Sequence, residues 1–129
     1  MNVVDSSGWI EYLSGGPNAA FFSEPIEDVD SLLVPTLSLF EVYRHLLRHV
    51  GKDRALTIVA AMRQGTIVDL DDRLALDAAE LSVAASLALA DSVLLATARA
   101  HGAVFWTQDA DFDGIEGVRP RPNAVTTYR

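Results

Sequence analysis

One carboxylate stands alone in the most apolar segment of this 129-residue chain. Every residue from 81 to 98 is apolar or carries a small hydroxyl group, except Asp91. Burying a carboxylate is costly unless it is protonated, paired with a positive charge or bound to a cation. One alternative is that Asp91 caps the N-terminus of a helix, but its apolar surroundings favour a site that uses the negative charge.

Other carboxylates follow short apolar runs that are typical of buried strands. Asp5 ends a valine-rich run, and the run AVFWT (103–107) is followed by the acidic stretch DADFDG (109–114). Glu41 lies early in a predicted helix that follows another apolar run. Functional groups gather at the carboxyl ends of parallel strands, so we expect these side chains to meet Asp91 at one edge of a sheet. The candidate site residues are Asp5, Glu41, Asp91 and Asp109, with Asp111 and Asp113 as further acids nearby.

Carboxylates that share one edge repel one another and raise one another's pKa values unless a cation neutralises them. Mg²⁺ or Mn²⁺ suits such a cluster because hard cations prefer oxygen ligands. Taken alone, each acid has an ordinary explanation as a helix cap, a turn residue or a surface residue. Their convergence from separate segments predicts a site for one or two divalent ions.

Composition excludes several classes of site. The chain has no cysteine, so disulfides and thiolate metal sites are excluded. The formal net charge is −8, and Lys52 is the only lysine. Taken alone, this acidity argues against a protein that binds nucleic acid through phosphate contacts. The first residues lack the basic and apolar regions of a signal peptide, so we expect a cytoplasmic protein with no membrane partner.

Short apolar runs alternate with segments of helical periodicity along the whole chain. This alternation predicts a single α/β domain over residues 1–129, with a central parallel sheet of about four to five strands and helices on both faces. Ser6 or Ser7 is predicted to cap the first helix, and Thr36 or Ser38 the helix that carries Glu41. The helix from about Lys52 to Gln64 is predicted to turn Leu56 toward the core, among other apolar residues.

Four motifs, in this order and spacing, resemble those of a known family. VVDSSGWIEYL, SLFEVYRHLL, LALADSVLLATA and FWTQDADFDG look like the PIN-domain ribonucleases, and more narrowly the VapC toxins of bacterial type II toxin–antitoxin pairs. The resemblance covers the chain from Asp5 to about Pro120.

The resemblance implies a metal-dependent endoribonuclease with a small VapB-type antitoxin as partner. The family's acidic quartet matches Asp5, Glu41, Asp91 and Asp109, which would be both catalytic and metal-binding. Thr107 matches the hydroxyl residue before the last acid, and Asp111 falls on the aspartate of the family's DF pair. We take Thr107, Asp111 and Ser6 as auxiliary residues. A homodimer that assembles into a larger toxin–antitoxin complex is also implied.

The RNA backbone would need positive charge close to the acids. The candidates are Arg44, Arg48, Arg99, Arg119 and Arg121. An antitoxin arginine that occupies the metal position would suit the same acidic groove.

Several other functions fit less well. A two-component receiver domain requires a lysine late in the chain, and the only lysine is Lys52. The stretch DADFDG matches the first half of an EF-hand loop, but the twelfth position is Pro120 instead of glutamate. A non-catalytic PIN-like interaction protein and a PIN nuclease that processes RNA outside a toxin–antitoxin pair remain as alternatives.

Overall fold

The computed structural model describes residues 1–120, in which five short strands form one sheet. The strands are β1 (Asn2–Val4), β2 (Leu32–Pro35), β3 (Thr66–Val68), β4 (Val104–Thr107) and β5 (Val118–Pro120). Their order is β3-β2-β1-β4-β5, and every neighbouring pair is parallel. All carboxyl ends therefore lie along one edge, with β1 at the centre.

Six α-helices connect or flank these strands. They are α1 (Ser6–Ser14), α2 (Ala19–Glu27), α3 (Thr36–His49), α4 (Lys52–Met62), α5 (Asp72–Ala85) and α6 (Leu89–Ala100). Short 3₁₀ turns cover Val29–Ser31 and Ala110–Phe112. Within residues 1–120 no single helix is long and apolar enough to span a membrane; α5 and α6 meet that criterion only as a pair, bent by 114°.

Alternating side chains of the strands build a separate core on each face of the sheet. On one face, Val4 and Trp106 pack with buried residues of α1 to α4, such as Phe22 and Val42. On the other face, Val3, Leu33 and Phe105 pack against Leu94, Leu95 and Ala98 of α6. The predicted fold class is confirmed: a parallel α/β sheet of five strands with helices on both faces.

The predicted N-caps of α1 and α3 are both wrong, for the same reason. Asp5 is the N-cap of α1 and Pro35 that of α3, so Ser6 and Thr36 are already the first helical residues. Asp5 (φ −57°, ψ 148°) and Pro35 (φ −60°, ψ 142°) keep an extended backbone, so each strand passes into its helix without a linker. Neither cap uses a side-chain hydrogen bond, which leaves the Asp5 carboxylate free for other contacts.

One predicted core residue lies on the surface. In α4, Ala55 and Met62 are buried, whereas Leu56 is 48% exposed. The residue next to Ala55 is turned about 100° around the helix, so a buried Ala55 does not carry Leu56 into the core.

Candidate metal centre

Three carboxylates from distant parts of the chain meet at the carboxyl edge of the sheet. Asp5 directly follows β1, Asp91 lies in the first turn of α6, and Asp109 comes two residues after β4. One carboxylate oxygen from each lies within 4.8 Å of those of the other two. Asp5 is buried, while Asp91 and Asp109 are partly exposed. This arrangement can hold a cation and leaves it reachable from solvent.

The hydroxyl of Thr107 joins the two central strands beneath this cluster. Thr107 is fully buried, and its Oγ1 donates to Oδ2 of Asp5 at 2.8 Å. The same Oγ1 accepts from the backbone N–H of Asp109 at 3.0 Å. Asp5 is held further by its own N–H, which donates to the carbonyl of Trp106 at 2.9 Å. Two of the three acids are thus positioned by a single buried side chain.

Ser7, predicted only as a possible helix cap, contacts the site. Its Oγ donates to Oδ2 of Asp5 at 3.4 Å. The signal was present in the run DSS, because a hydroxyl two residues after an aspartate can reach back to it.

The electrostatic environment of the cluster disfavours negative charge. Burial raises the pKa of Asp5, and the nearby charges of Asp109 and Glu41 raise it further, although the Thr107 hydrogen bond opposes this. Burial also raises the pKa of Asp91 to about 6, with added repulsion from Asp5, Asp109, Asp111 and Glu41. A divalent cation would relieve this repulsion.

Glu41 lies at the rim of the cluster and is not one of its three close members. It is the sixth residue of α3, where its Oε1 accepts from the Oγ of Ser6 at 2.6 Å. Ser6 therefore contacts a predicted site residue and does not cap α1. Glu41 is close enough to raise the pKa values of Asp5 and Asp91, but the structure groups only three of the four predicted acids tightly.

The acids after Asp109 lie outside the tight group. Asp111 is exposed, and its N–H donates to Oδ1 of Asp109 at 2.9 Å, so its backbone orients that carboxylate. Its negative charge contributes to the raised pKa of Asp91. Asp113 is exposed and ends the second 3₁₀ turn.

The donor set fits a hard divalent cation. All three close side chains are carboxylates, and no sulfur or imidazole ligand belongs to the group. Mg²⁺ and Mn²⁺ accept such ligands and keep water in their remaining positions, whereas zinc sites generally include histidine or cysteine.

The predicted RNA-contacting arginines are spread over the surface. Arg44 and Arg48 lie on α3, in a groove that also contains Glu41. Arg99 donates to the carbonyl of Glu116 at 3.3 Å, and the guanidinium of Arg119 lies 4.9 Å from the ring centroid of Trp106. Arg121 lies outside the described residues.

Several solved structures, among them a toxin–antitoxin complex and a toxin, have a similar fold. A toxin–antitoxin complex from Klebsiella pneumoniae aligns with a TM-score of 0.78 and 22% identity, covering 92% of this chain and 96% of that chain. VapC20 of Mycobacterium tuberculosis, described as a Sarcin-Ricin loop cleaving toxin, aligns with a TM-score of 0.75 and 22% identity over 95% of this chain and all of that chain. DNA-bound VapBC from Salmonella typhimurium gives a TM-score of 0.72 at 14% identity, covering 93% and 96% of the two chains.

Comparison with curated protein sequences gives no match. The structural likeness, at these low identities, concerns the fold. A family model is more specific, because that for the PIN domain matches residues 3–118. This stretch includes most of β1, all of β4 and all three clustered acids. The chain therefore belongs to the PIN domain family.

Proposed function

We propose that this protein is a divalent-metal-dependent endoribonuclease and the toxin of a VapBC-type toxin–antitoxin pair. The observation that carries the proposal is the grouping of Asp5, Asp91 and Asp109 within 4.8 Å at the carboxyl edge of a PIN-domain sheet. Among the similar solved structures are a toxin–antitoxin complex, a DNA-bound VapBC and a toxin described as cleaving the Sarcin-Ricin loop, an RNA substrate.

The three close acids would hold one or two Mg²⁺ or Mn²⁺ ions, with Glu41 contributing at the rim. When bound, the cation supplies hydroxide near neutral pH and offsets the charge that develops on the phosphate during hydrolysis. Thr107 orients Asp5 through its hydroxyl and Asp109 through the backbone. Ser6 orients Glu41. These contacts hold the carboxylates in place before the RNA arrives, which reduces the reorganisation needed in the transition state.

In this proposal the protein acts in the cytoplasm as a homodimer until a VapB-type antitoxin neutralises it. An arginine of the antitoxin would compete with the cation for the carboxylates. The exposed apolar side chains of α5 and of the start of α6 supply a dimer surface: Val83 is 85%, Leu89 74% and Leu76 67% exposed. Val83 and Leu89 also line an apolar groove of about 470 Å³ between the two helices. The large apolar side chains of α3 and α4 are less exposed: Phe40 is 58%, Leu56 48% and Leu47 41% exposed.

A cleavage assay with matched aspartate variants tests the enzymatic part. Purified protein is incubated with end-labelled RNA in Mg²⁺, in Mn²⁺ and in EDTA. We expect cleavage only with a divalent cation, products that carry a 5′-phosphate, and loss of cleavage in Asp91→Asn. Asp77→Asn is the control, because Asp77 is exposed on α5 and outside the cluster.

Cleavage that persists in EDTA or in Asp91→Asn would contradict the proposal. A folded wild-type protein that binds RNA without cutting it would favour the non-catalytic alternative. Growth arrest on expression, relieved by co-expression of a small basic protein encoded directly upstream, tests the toxin part. Cleavage without growth arrest would favour a PIN nuclease that processes RNA outside such a pair.

A further inference from the structure

A groove of about 350 Å³ runs along α3 from the rim of the metal centre. At one end lie Ser6 and Glu41, which are joined by the 2.6 Å hydrogen bond described above. Phe40, the residue before Glu41, also lines the groove, and Arg44 and Arg48 line it farther along the helix. We call this feature the α3 groove. It gives a ligand that enters the metal centre an extended surface to lie on.

The α3 groove is positive although the protein as a whole is acidic. Arg44 and Arg48 are both exposed and lie four residues apart, so they project from the same side of α3 about 6 Å apart along its axis. Glu41 is the only carboxylate in α3 and the only one that lines the groove in the described part of the chain. Against a net charge of −8, this is a local site for anions.

The same groove offers flat rings beside the charges. Phe40 is 58% exposed, and the guanidinium of Arg44 lies 5.9 Å from its ring centroid. His45 and His49 stack on each other with ring centroids 4.1 Å apart. Partial burial and the neighbouring His49 lower the pKa of His45, so its ring is mostly uncharged at neutral pH. Arginines spaced along a helix beside exposed aromatic rings suit phosphates linked to bases.

We propose that the α3 groove binds single-stranded RNA next to the phosphate that is cleaved, with Arg44 and Arg48 on the backbone and Phe40 stacked on a base. This inference rests on the proposed nuclease function, whose cation would hold the strand at the groove's other end. Of the arginine candidates within the described residues, the proposal assigns RNA binding in the groove to Arg44 and Arg48 alone. Arg119 packs over Trp106, and Arg99 is engaged with the Glu116 carbonyl, and neither lines the groove.

An RNA strand fits the groove better than an acidic peptide. Both ligands would pair with the arginines, but a peptide gains little from an exposed flat ring beside them. In the proposed function the neighbouring metal centre takes RNA as its substrate, so one strand would lie in both the groove and the centre.

Binding is measured first, in the Asp91→Asn background, so that the RNA stays intact. Fluorescence anisotropy of a labelled single-stranded RNA of about 12 nucleotides is recorded in Mg²⁺ at several salt concentrations. We expect Arg44→Ala with Arg48→Ala to weaken binding at least tenfold, since a hydrogen bond to a charged group contributes about 1.5–3 kcal/mol. The slope of log K against log salt should become shallower by about 1.4, which corresponds to two lost phosphate contacts.

The matched control replaces Arg63 and Arg73 by alanine, which changes the net charge by the same amount at exposed positions outside the groove. This variant should bind nearly as well as its parent. Phe40→Ala should weaken binding about tenfold with an unchanged salt slope, because stacking carries no counterion release. Circular dichroism and Tm confirm that each variant is folded.

Cleavage kinetics then separate this inference from the proposed function. In the otherwise wild-type chain, the double arginine variant should raise KM at least tenfold and change kcat less than threefold. If the wild type cleaves RNA and the double variant keeps its KM and its binding, the groove proposal is overturned while the nuclease stands. If binding depends on the arginines but the wild type never cleaves, the nuclease is overturned and the RNA groove stands. Equal weakening by the Arg63 and Arg73 control would show a general charge effect and would overturn the proposal. It would also be overturned if the double arginine variant still bound RNA but no longer bound a polyglutamate peptide, because the groove would then bind acidic protein.

Discussion

The Thr107 hydroxyl donates a 2.8 Å hydrogen bond to Oδ2 of Asp5, across 102 positions of the sequence. Replacing it in Thr107→Val leaves the buried carboxylate and the Asp109 N–H without this partner. We expect metal-dependent cleavage to fall by about 10- to 100-fold, as for other residues that orient metal ligands. Stability should also fall by about 1–3 kcal/mol, measured by urea unfolding.

Thr97→Val is the matched control for this substitution. Thr97 is also fully buried, but its hydroxyl donates to the carbonyl of Val93 within α6. Its loss should leave cleavage per folded molecule unchanged. Equal losses of activity in both variants would show that Thr107 acts only through stability.

Ser6→Ala removes the hydroxyl that holds Glu41. Because the 2.6 Å bond fixes the Oε1 atom of Glu41, its loss should raise the Mg²⁺ concentration needed for half-maximal cleavage by about tenfold. Ser38→Ala is the control, since Ser38 is fully buried and its Oγ has no partner within residues 1–120. That variant should keep its Mg²⁺ dependence and be at least as stable as the wild type. An unchanged Mg²⁺ dependence in Ser6→Ala would show that this hydrogen bond does not position Glu41 for the metal.

The raised pKa of Asp91 predicts how the metal-free protein responds to pH. In the folded state this pKa is about 6, against 3.8 for an unperturbed aspartate, so the folded state binds more protons between these values. Stability in EDTA should therefore fall as pH rises from about 4 to 7. Asp91→Asn removes the cost of ionising this carboxyl group in the folded state. The variant should be more stable than the wild type at pH 7 by about 1 kcal/mol, a value reduced for the partial exposure of Asp91. Thermal unfolding of both proteins at pH 4.5 and pH 7 measures the difference, and a less stable variant at pH 7 would assign Asp91 a structural role.

Cation binding should stabilise the folded protein measurably. A ligand at 100 times its Kd adds about 2.7 kcal/mol to the free energy of unfolding. Mg²⁺ or Mn²⁺ should thus raise the Tm of the wild type, EDTA should reverse the effect, and Asp109→Asn should abolish it. Asp113→Asn, at an exposed position outside the cluster, should retain it. The same rise in Asp109→Asn would place the cation elsewhere.

The dimer surface is tested by charge on α5 and α6. Val83→Glu combined with Leu89→Glu puts carboxylates on two of the most exposed apolar positions, where contact with a second copy would bury them. We expect a monomer by light scattering after size-exclusion chromatography. Leu56→Glu, on α4, should leave a dimer. If Leu56→Glu gave a monomer and the double variant remained a dimer, the interface would lie on α3 and α4 instead.

Much of the fold could be predicted because its signals are local. Short apolar runs that alternate with amphipathic segments gave the strands and helices close to their observed positions. The helix starts at Ser6 and Thr36 were predicted nearly in place but with the wrong caps. The sequence does not show that Asp5 and Pro35 keep an extended backbone up to the helix, and this depends on how the strands pair in the sheet.

The candidate site was predictable only in part, because side-chain reach depends on tertiary packing. Asp5 and Asp109 follow neighbouring strands, so the edge of the sheet brings them together whatever else surrounds them. Glu41 lies more than a turn into α3, where a small change in helix direction decides its distance from the other acids. Its hydrogen bond with Ser6 has no sequence signal, since 35 residues separate the two.

The position of β1 has a consequence for the order in which the protein becomes functional during synthesis. β1 is made before the other strands, and its neighbour β4, with Thr107 and Asp109, follows about 100 residues later. At 5–20 residues per second, a ribosome needs roughly 5–20 s to complete that interval. A nascent chain lacks Thr107 and Asp109 throughout this time, so it cannot assemble the three-acid site. The proposed activity against RNA therefore arises only after the ribosome has made nearly all of the protein.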